Sequence, residues 1–155
     1  MPLTPNSLTD IRDALVAAMQ ADAAFTGVAV IAESAGDVAS RVAKLKEVAL
    51  VVAVGEPLLA PGESARVISA EFDIHIYECP EINRRSGSPK TAHGLLIAAF
   101  NLFFHPANEF RPVADWTETM FDGHGVEQLE MPMGKQMVPV IHRALAGHLS
   151  LFLPS

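Results

Sequence analysis

Asn83, Arg84 and Arg85 are the densest recognition chemistry in a chain that sets eleven Lys and Arg against eighteen Asp and Glu, a formal net charge of −7. A guanidinium can hold a carboxylate through two parallel N–H donors, and an asparagine amide can close a turn or cap a loop. The stretch around them reads Glu78-Cys79-Pro80-Glu81-Ile82-Asn83-Arg84-Arg85-Ser86-Gly87-Ser88-Pro89. Two sources of carboxylate are open to Arg84: an adjoining subunit, or Glu78 and Glu81 in its own loop. Either use is recognition, not bond making.

The residues that ordinarily carry catalysis form no motif. Gly134-Lys135 is followed by Gln136 and lacks the earlier glycine of a phosphate loop. Gly123-His124-Gly125 lacks the third glycine and the strand-to-helix setting of a dinucleotide fingerprint. Ser86-Gly87-Ser88 is no nucleophile elbow. Of the six histidines, His142 and His148 share a face if the last segment is one strand, yet about 20 Å of strand separates them, far too much for one ion. They read as surface or interface histidines. His75 and Glu71 suggest no third ligand, and Glu127 with Glu130 reads as a solvated acidic pair on a hairpin. No catalytic, cofactor-binding or metal-ligating residue is expected.

Composition narrows the class further. At 155 residues the chain is one domain's worth, long enough to bury about 68–70% of its unfolded surface without a disulfide or metal. A hydrophobic content of 50% is high for a solitary domain and leaves apolar surface for neighbours. The acidic balance argues against sequence-independent nucleic-acid binding, which needs clustered Lys and Arg, while an acidic wall would let a duplex pass without sticking. Cys79 is the sole cysteine, so no intrachain disulfide can form. The first residues have neither the basic start nor the apolar run of a secretory signal, so cytoplasmic synthesis is expected. The apolar run from Ala92 to Phe104, broken by His93, Gly94 and Asn101, is too short for a membrane span.

These residues must be positioned by a small set of elements. Ser7 and Asp10 make a capping-box-like start for a helix to about Asp22, with Leu8, Ile11, Leu15, Ala18 and Met19 inward and Arg12, Asp13 and Gln20 outward. A short strand at Val28 to Ala32 precedes a brief helix capped by Asp37, with Val38, Val42 and Leu45 inward. Val48 to Val54 is an unbroken apolar run, as in a strand covered on both faces. Pro61-Gly62 turns into a long strand. From Val67 to Tyr77 the residues Ile68, Ala70, Phe72, Ile74 and Ile76 alternate with Ser69, Glu71, Asp73 and His75, over roughly 36 Å.

Ser88 as cap and Pro89 at the first helical position predict a helix to about Phe104, ended by Pro106. Its apolar arc, which includes Ile97, Phe100 and Phe104, covers roughly 220° where about 100° suffices for packing on a sheet. The surplus is covered either by the rest of the chain or by a second subunit. Downstream, Val113 to Phe121 reads as a strand, Asp122-Gly123 as the turn into Val126 to Met131, and Pro132 to Lys135 as a loop or hairpin tip. Leu145, Leu149, Leu151 and Leu153 favour a closing strand, with a helix before Gly147 as the alternative. The expected architecture is a single α+β domain over residues 1–155: a mixed, mainly antiparallel sheet with two main helices packed on it.

The long strand, the Glu-x-Pro-x-x-Asn-Arg loop at Glu78 to Arg84 and the following Thr91-Ala92 helix resemble the tail-terminator, or tail-completion, proteins of long-tailed bacteriophages, and the order of elements fits from the first helix to the last strand. The resemblance implies a virion protein made in the host cytoplasm that forms a homo-oligomeric ring, a hexamer by analogy, at the head-proximal end of the tail. Its partners would be the tail tube protein and the head–tail connector, with genomic DNA passing through the ring and no sequence-specific nucleic-acid contact. Candidate interface residues are Asn83, Arg84, Arg85, Ile97, Phe100 and Phe104. The alternatives are another neck or connector protein, or a small enzyme or ligand-binding domain with a pocket between helix and sheet.

Overall fold

The alternation of Ile68, Ala70, Phe72, Ile74 and Ile76 builds the central strand of the molecule, in a computed structural model that describes residues 3–33, 44–45 and 47–153. In chain order the elements are helix α1 (Ser7–Ala21), a 3-10 turn (Ala23–Phe25), strands β1 (Ala29–Ala32), β2 (Leu50–Val54), β3 (Leu58–Pro61) and β4 (Val67–Glu78), helices α2 (Pro80–Ser86) and α3 (Ala92–Phe103), and strands β5 (Met120–Met133) and β6 (Gln136–Phe152). The sheet order is β1-β2-β4-β6-β5, with β3 also on β4. Among the described strands only the β1–β2 pair is parallel. This is an α+β domain with a mixed, mostly antiparallel sheet.

One face of the sheet carries the main core. Ile11, Leu15 and Met19 of α1 and Leu95, Ala99 and Phe103 of α3 pack on Val52, Val54, Phe72, Ile74, Ile76, Leu145 and Leu149. A smaller cluster on the opposite face joins Leu45, Val51, Tyr77, Cys79, Met131, Val138 and Val140. Both faces of β2 are therefore buried along its whole length, as the unbroken apolar run requires. The helix expected from Asp37 through Val38 and Val42 lies outside the described residues, while Leu45 is described and buried.

Several expectations are corrected. β3 continues β2 along the same edge of β4: Val54 opposes Ile74 and Leu58 opposes Glu71, so Gly55, Glu56 and Pro57 face two residues and act as a bulge. The stretch after Glu78 is not all loop, because Pro80 opens α2. α3 is capped by Thr91, whose Oγ1 accepts from Gly94 N at 3.1 Å, three residues after the predicted Ser88 cap. Val113 to Phe121 is not a strand. Asp115 there has φ 76°, which turns the chain, and only Trp116 bridges to Leu151 before β5 begins at Met120. Asp122-Gly123 is a bulge within β5, not a turn. α1 starts at Ser7 behind Asn6, with no side-chain cap bond. Arg12 does not face out: it is half-buried and donates to the Glu33 carbonyl at 2.8 Å.

The β5–β6 hairpin dominates the far side. It turns at Gly134-Lys135, with Met133 opposite Gln136. Gly134 has φ 63° while Lys135 has no positive φ, the pattern of a type II′ turn, which needs glycine first. The last residue of β4, Glu78, opposes Ile141, so Gln136 to Val140 run past β4 for about 17 Å at the usual strand rise. Pro139 sits in that overhang, where β6 has a strand neighbour on one side only and a missing N–H is tolerated.

Candidate functional site

Asn83, Arg84 and Arg85 all lie on α2 and have three different fates. Asn83 is 6% exposed; its Nδ2 donates to Glu78 Oε2 at 3.1 Å and to the Lys90 carbonyl at 2.7 Å. The other Glu78 oxygen, Oε1, accepts from Ala92 N at 2.7 Å, filling one of the open donors at the start of α3. The Glu-x-Pro-x-x-Asn pattern is thus a clamp. It ties the end of β4 to both helices that follow, and Asn83 is directed into the chain. Arg85 pairs with Glu81 one turn back at 3.0 Å with its side chain largely exposed, a contact that adds little to stability. Arg84 is exposed and pairs with neither Glu78 nor Glu81; it has no ion pair or side-chain hydrogen bond among the described residues. Arg84→Glu is therefore expected to move the monomer's unfolding free energy by less than about 0.5 kcal/mol, the range for a surface change away from any special contact, as urea titration would measure.

The broad apolar arc of α3 is covered mainly by the chain itself. The Phe104 ring stacks on Phe72 at 6.1 Å and 9°, and it approaches Phe121 at 5.4 Å. Phe100 meets Phe121 edge to face at 5.1 Å, an arrangement that suits the ring quadrupoles. Phe104 reaches the sheet because Gly147 has no side chain: a Cβ there would lie 2.6 Å from the Phe104 ring and 2.9 Å from the Met120 carbonyl. Phe100 and Phe104 are consequently half-buried, and of the three candidates on this helix Ile97 alone is exposed, at 47%.

The second sheet face carries polar chemistry that sequence spacing did not bring together. Tyr77 and His142 are direct cross-strand neighbours, as are His142 and Glu127. His142 Nδ1 lies 2.5 Å from Glu127 Oε1, and its Nε2 lies 2.9 Å from His75 Nδ1. The carboxylate requires the proton on His142 Nδ1, so in the neutral form Nε2 accepts and His75 Nδ1 donates. Tyr77 stacks on His142 at 4.4 Å and 8°. Glu127 is therefore bonded rather than merely solvated, and the chain Glu127–His142–His75 laces β5, β6 and β4 together. Farther along, His148 Nδ1 bonds Asp122 at 2.7 Å. Among the described residues no group of three or more His, Cys, Asp or Glu is placed to hold a metal.

Beyond His148 this face opens into a groove of about 940 Å³ between β3, β4, β6 and β5. Glu71, Asp73, Asp122 and His148 line it, and Leu58, Met120 and Phe152 stand at its rim, 72%, 53% and 66% exposed. No family model matches the chain, and no curated protein matches its sequence. The groove and the β5 edge lead by geometry alone. β5 ends the sheet, with a single strand neighbour among the described residues, and most of its side chains are exposed. Such an edge offers backbone donors and acceptors to another chain. No helix among the described residues is long and apolar enough to cross a membrane.

Proposed function

We propose that this chain is a structural virion protein that assembles into a ring, six-fold by resemblance, at the head-proximal end of a bacteriophage tail. There it stops growth of the tail tube and presents the joining surface for the head connector. The reading rests on the resemblance carried by β4, the Glu78 to Arg84 loop and α3. The observation that supports it most is the terminal β5 strand and its surroundings, where Met120, Phe121, Val126, Met137 and Phe152 are large apolar side chains left exposed. Exposed apolar side chains spread along a terminal strand and its hairpin partner suit contact with another chain. Ile97 and the unpaired Arg84 add an apolar anchor and a charge that fixes orientation, and DNA passes through the ring without being read. Assembly is by stoichiometric occupancy of a tail end, not by turnover.

The test is a lysate of phage lacking the protein, counted by electron microscopy. Full heads with unattached tails of uncontrolled length are expected, and added wild-type protein should restore length in proportion to its amount. Tails of normal length joined to heads overturn the terminator role. The runner-up reading, a ligand-binding or enzymatic domain, draws on the groove with its Asp122–His148 pair; rescue by trace protein would favour it. A neck protein is indicated instead if tails have normal length but do not join.

A further inference from the structure

The two ends of the long hairpin and sheet carry complementary chemistry that one molecule cannot bring together. At one end is the overhanging turn of β5–β6, with Lys135 at its tip and Met137, 57% exposed, beside it. Lys135 has no ion-pair partner among the described residues. At the other end is the groove, rimmed by Leu58, Met120 and Phe152 and lined by Glu63, Glu71, Asp73, Glu118 and Asp122, with no Lys or Arg among its described lining. Among the described residues Asp122 pairs with His148, and Glu63, Glu71, Asp73 and Glu118 have no salt-bridge partner. Each patch is flanked by exposed apolar side chains, and each holds the charge that the other lacks.

Distance excludes an internal contact. The overhang begins where Ile141 opposes Glu78, whereas the groove lies near the pairs Ser69↔Ser150 and Glu71↔His148. Those positions are separated by most of β4, about 25–30 Å at the usual strand rise, and the overhang points away from the groove. A second copy is the occupant that fits. We propose that subunits join head to tail, the Lys135 turn of one entering the acidic groove of the next, with Met137 packing against the Leu58, Met120 and Phe152 rim. Different patches meet, so the contact is heterologous; it closes into a ring if the rotation closes and otherwise makes a filament. The narrow turn suits a concave site better than the short helix that carries Arg84. This inference rests on the ring reading and names the surface that builds the ring.

Charge reversal tests it. Glu71, Asp73 and Lys135 are all exposed, so Lys135→Glu and the pair Glu71→Lys with Asp73→Lys should leave the monomer fold intact, checked by circular dichroism. Native mass spectrometry over a concentration series should show rings for wild type and about a hundredfold weaker association for either variant, because like charges then face one another across the contact. Mixing the two variants makes both contacts complementary, the native turn entering the native groove and the reversed turn entering the reversed groove, and should restore mixed rings in which the variants alternate. All three changes on one chain should recover rings. Rings from either variant alone, or a mixture that fails to form rings, overturn the head-to-tail contact while leaving the ring reading intact. A wild-type chain that stays monomeric at high concentration, even with tail tubes added, overturns both.

Discussion

Asn83→Ala is expected to lower the unfolding free energy by about 2–3 kcal/mol, because it leaves a buried carboxylate oxygen and a half-buried carbonyl without this donor. Glu78 Oε2 loses its bond from Asn83 Nδ2, and the Lys90 carbonyl loses a 2.7 Å bond. The Asn83 Oδ1 atom is buried without a partner, and its removal offsets part of the loss, which holds the value below that of a fully satisfied network. For a domain of this size, about 2–4 °C of melting temperature accompanies each kcal/mol, so a drop of about 4–12 °C should be seen by calorimetry. Asn83→Asp should be worse at neutral pH, since a second carboxylate then faces Glu78. If Asn83→Ala melts with wild type, the clamp does not hold α2 and α3 in place.

Gly147→Ala is expected to cost about 1–3 kcal/mol, the usual range for overpacking a filled core. The new Cβ would stand 2.6 Å from the Phe104 ring and 2.9 Å from the Met120 carbonyl. The ring can tilt, but the carbonyl belongs to the β5–β6 ladder and cannot retreat without disturbing it. Gly147→Val should be more severe still. A double-mutant cycle locates the strain: shrinking the ring in Phe104→Leu should make Gly147→Ala cheaper by at least about 0.5 kcal/mol, since residues in contact do not add. Strict additivity in urea titration would place the cost on the backbone instead.

The parts of the fold that sequence pattern conveyed are those whose burial repeats with a fixed period. The inward stripe of α1, the two-sided burial of β2 and the alternation of β4 all follow from side-chain spacing. β3 was not legible because Leu58 and Leu59 are exposed and Pro61 closes the strand; it exists because β4 is long enough to leave free ladder beyond the Gly55 to Pro57 bulge. α2 has a single apolar inward residue besides Asn83 and is held by the Glu78 clamp, a tertiary contact. The same holds for the candidate site. Arg84 is on the surface as its chemistry suggests, but Asn83 is drawn inside by Glu78, which the loop sequence does not reveal. The His75–His142–Glu127 chain depends on the β4–β6 and β5–β6 registers, and register is set across the whole sheet.

The twelve paired residues of β4 and β6, from Val67↔Phe152 to Glu78↔Ile141, bear on how the molecule is made. β4 emerges from the ribosome well before its principal partner, and about 60 more residues must follow before β6 begins to appear, a wait of several seconds at about 5–20 residues per second. During that interval Phe72, Ile74 and Ile76 have α1, β2 and then α3 to cover them but lack the strand that completes their ladder. The β5–β6 hairpin, by contrast, closes through two residues and can form within microseconds of emerging. The nascent chain therefore waits with an open sheet and finishes in one late step, when a preformed hairpin zips onto β4.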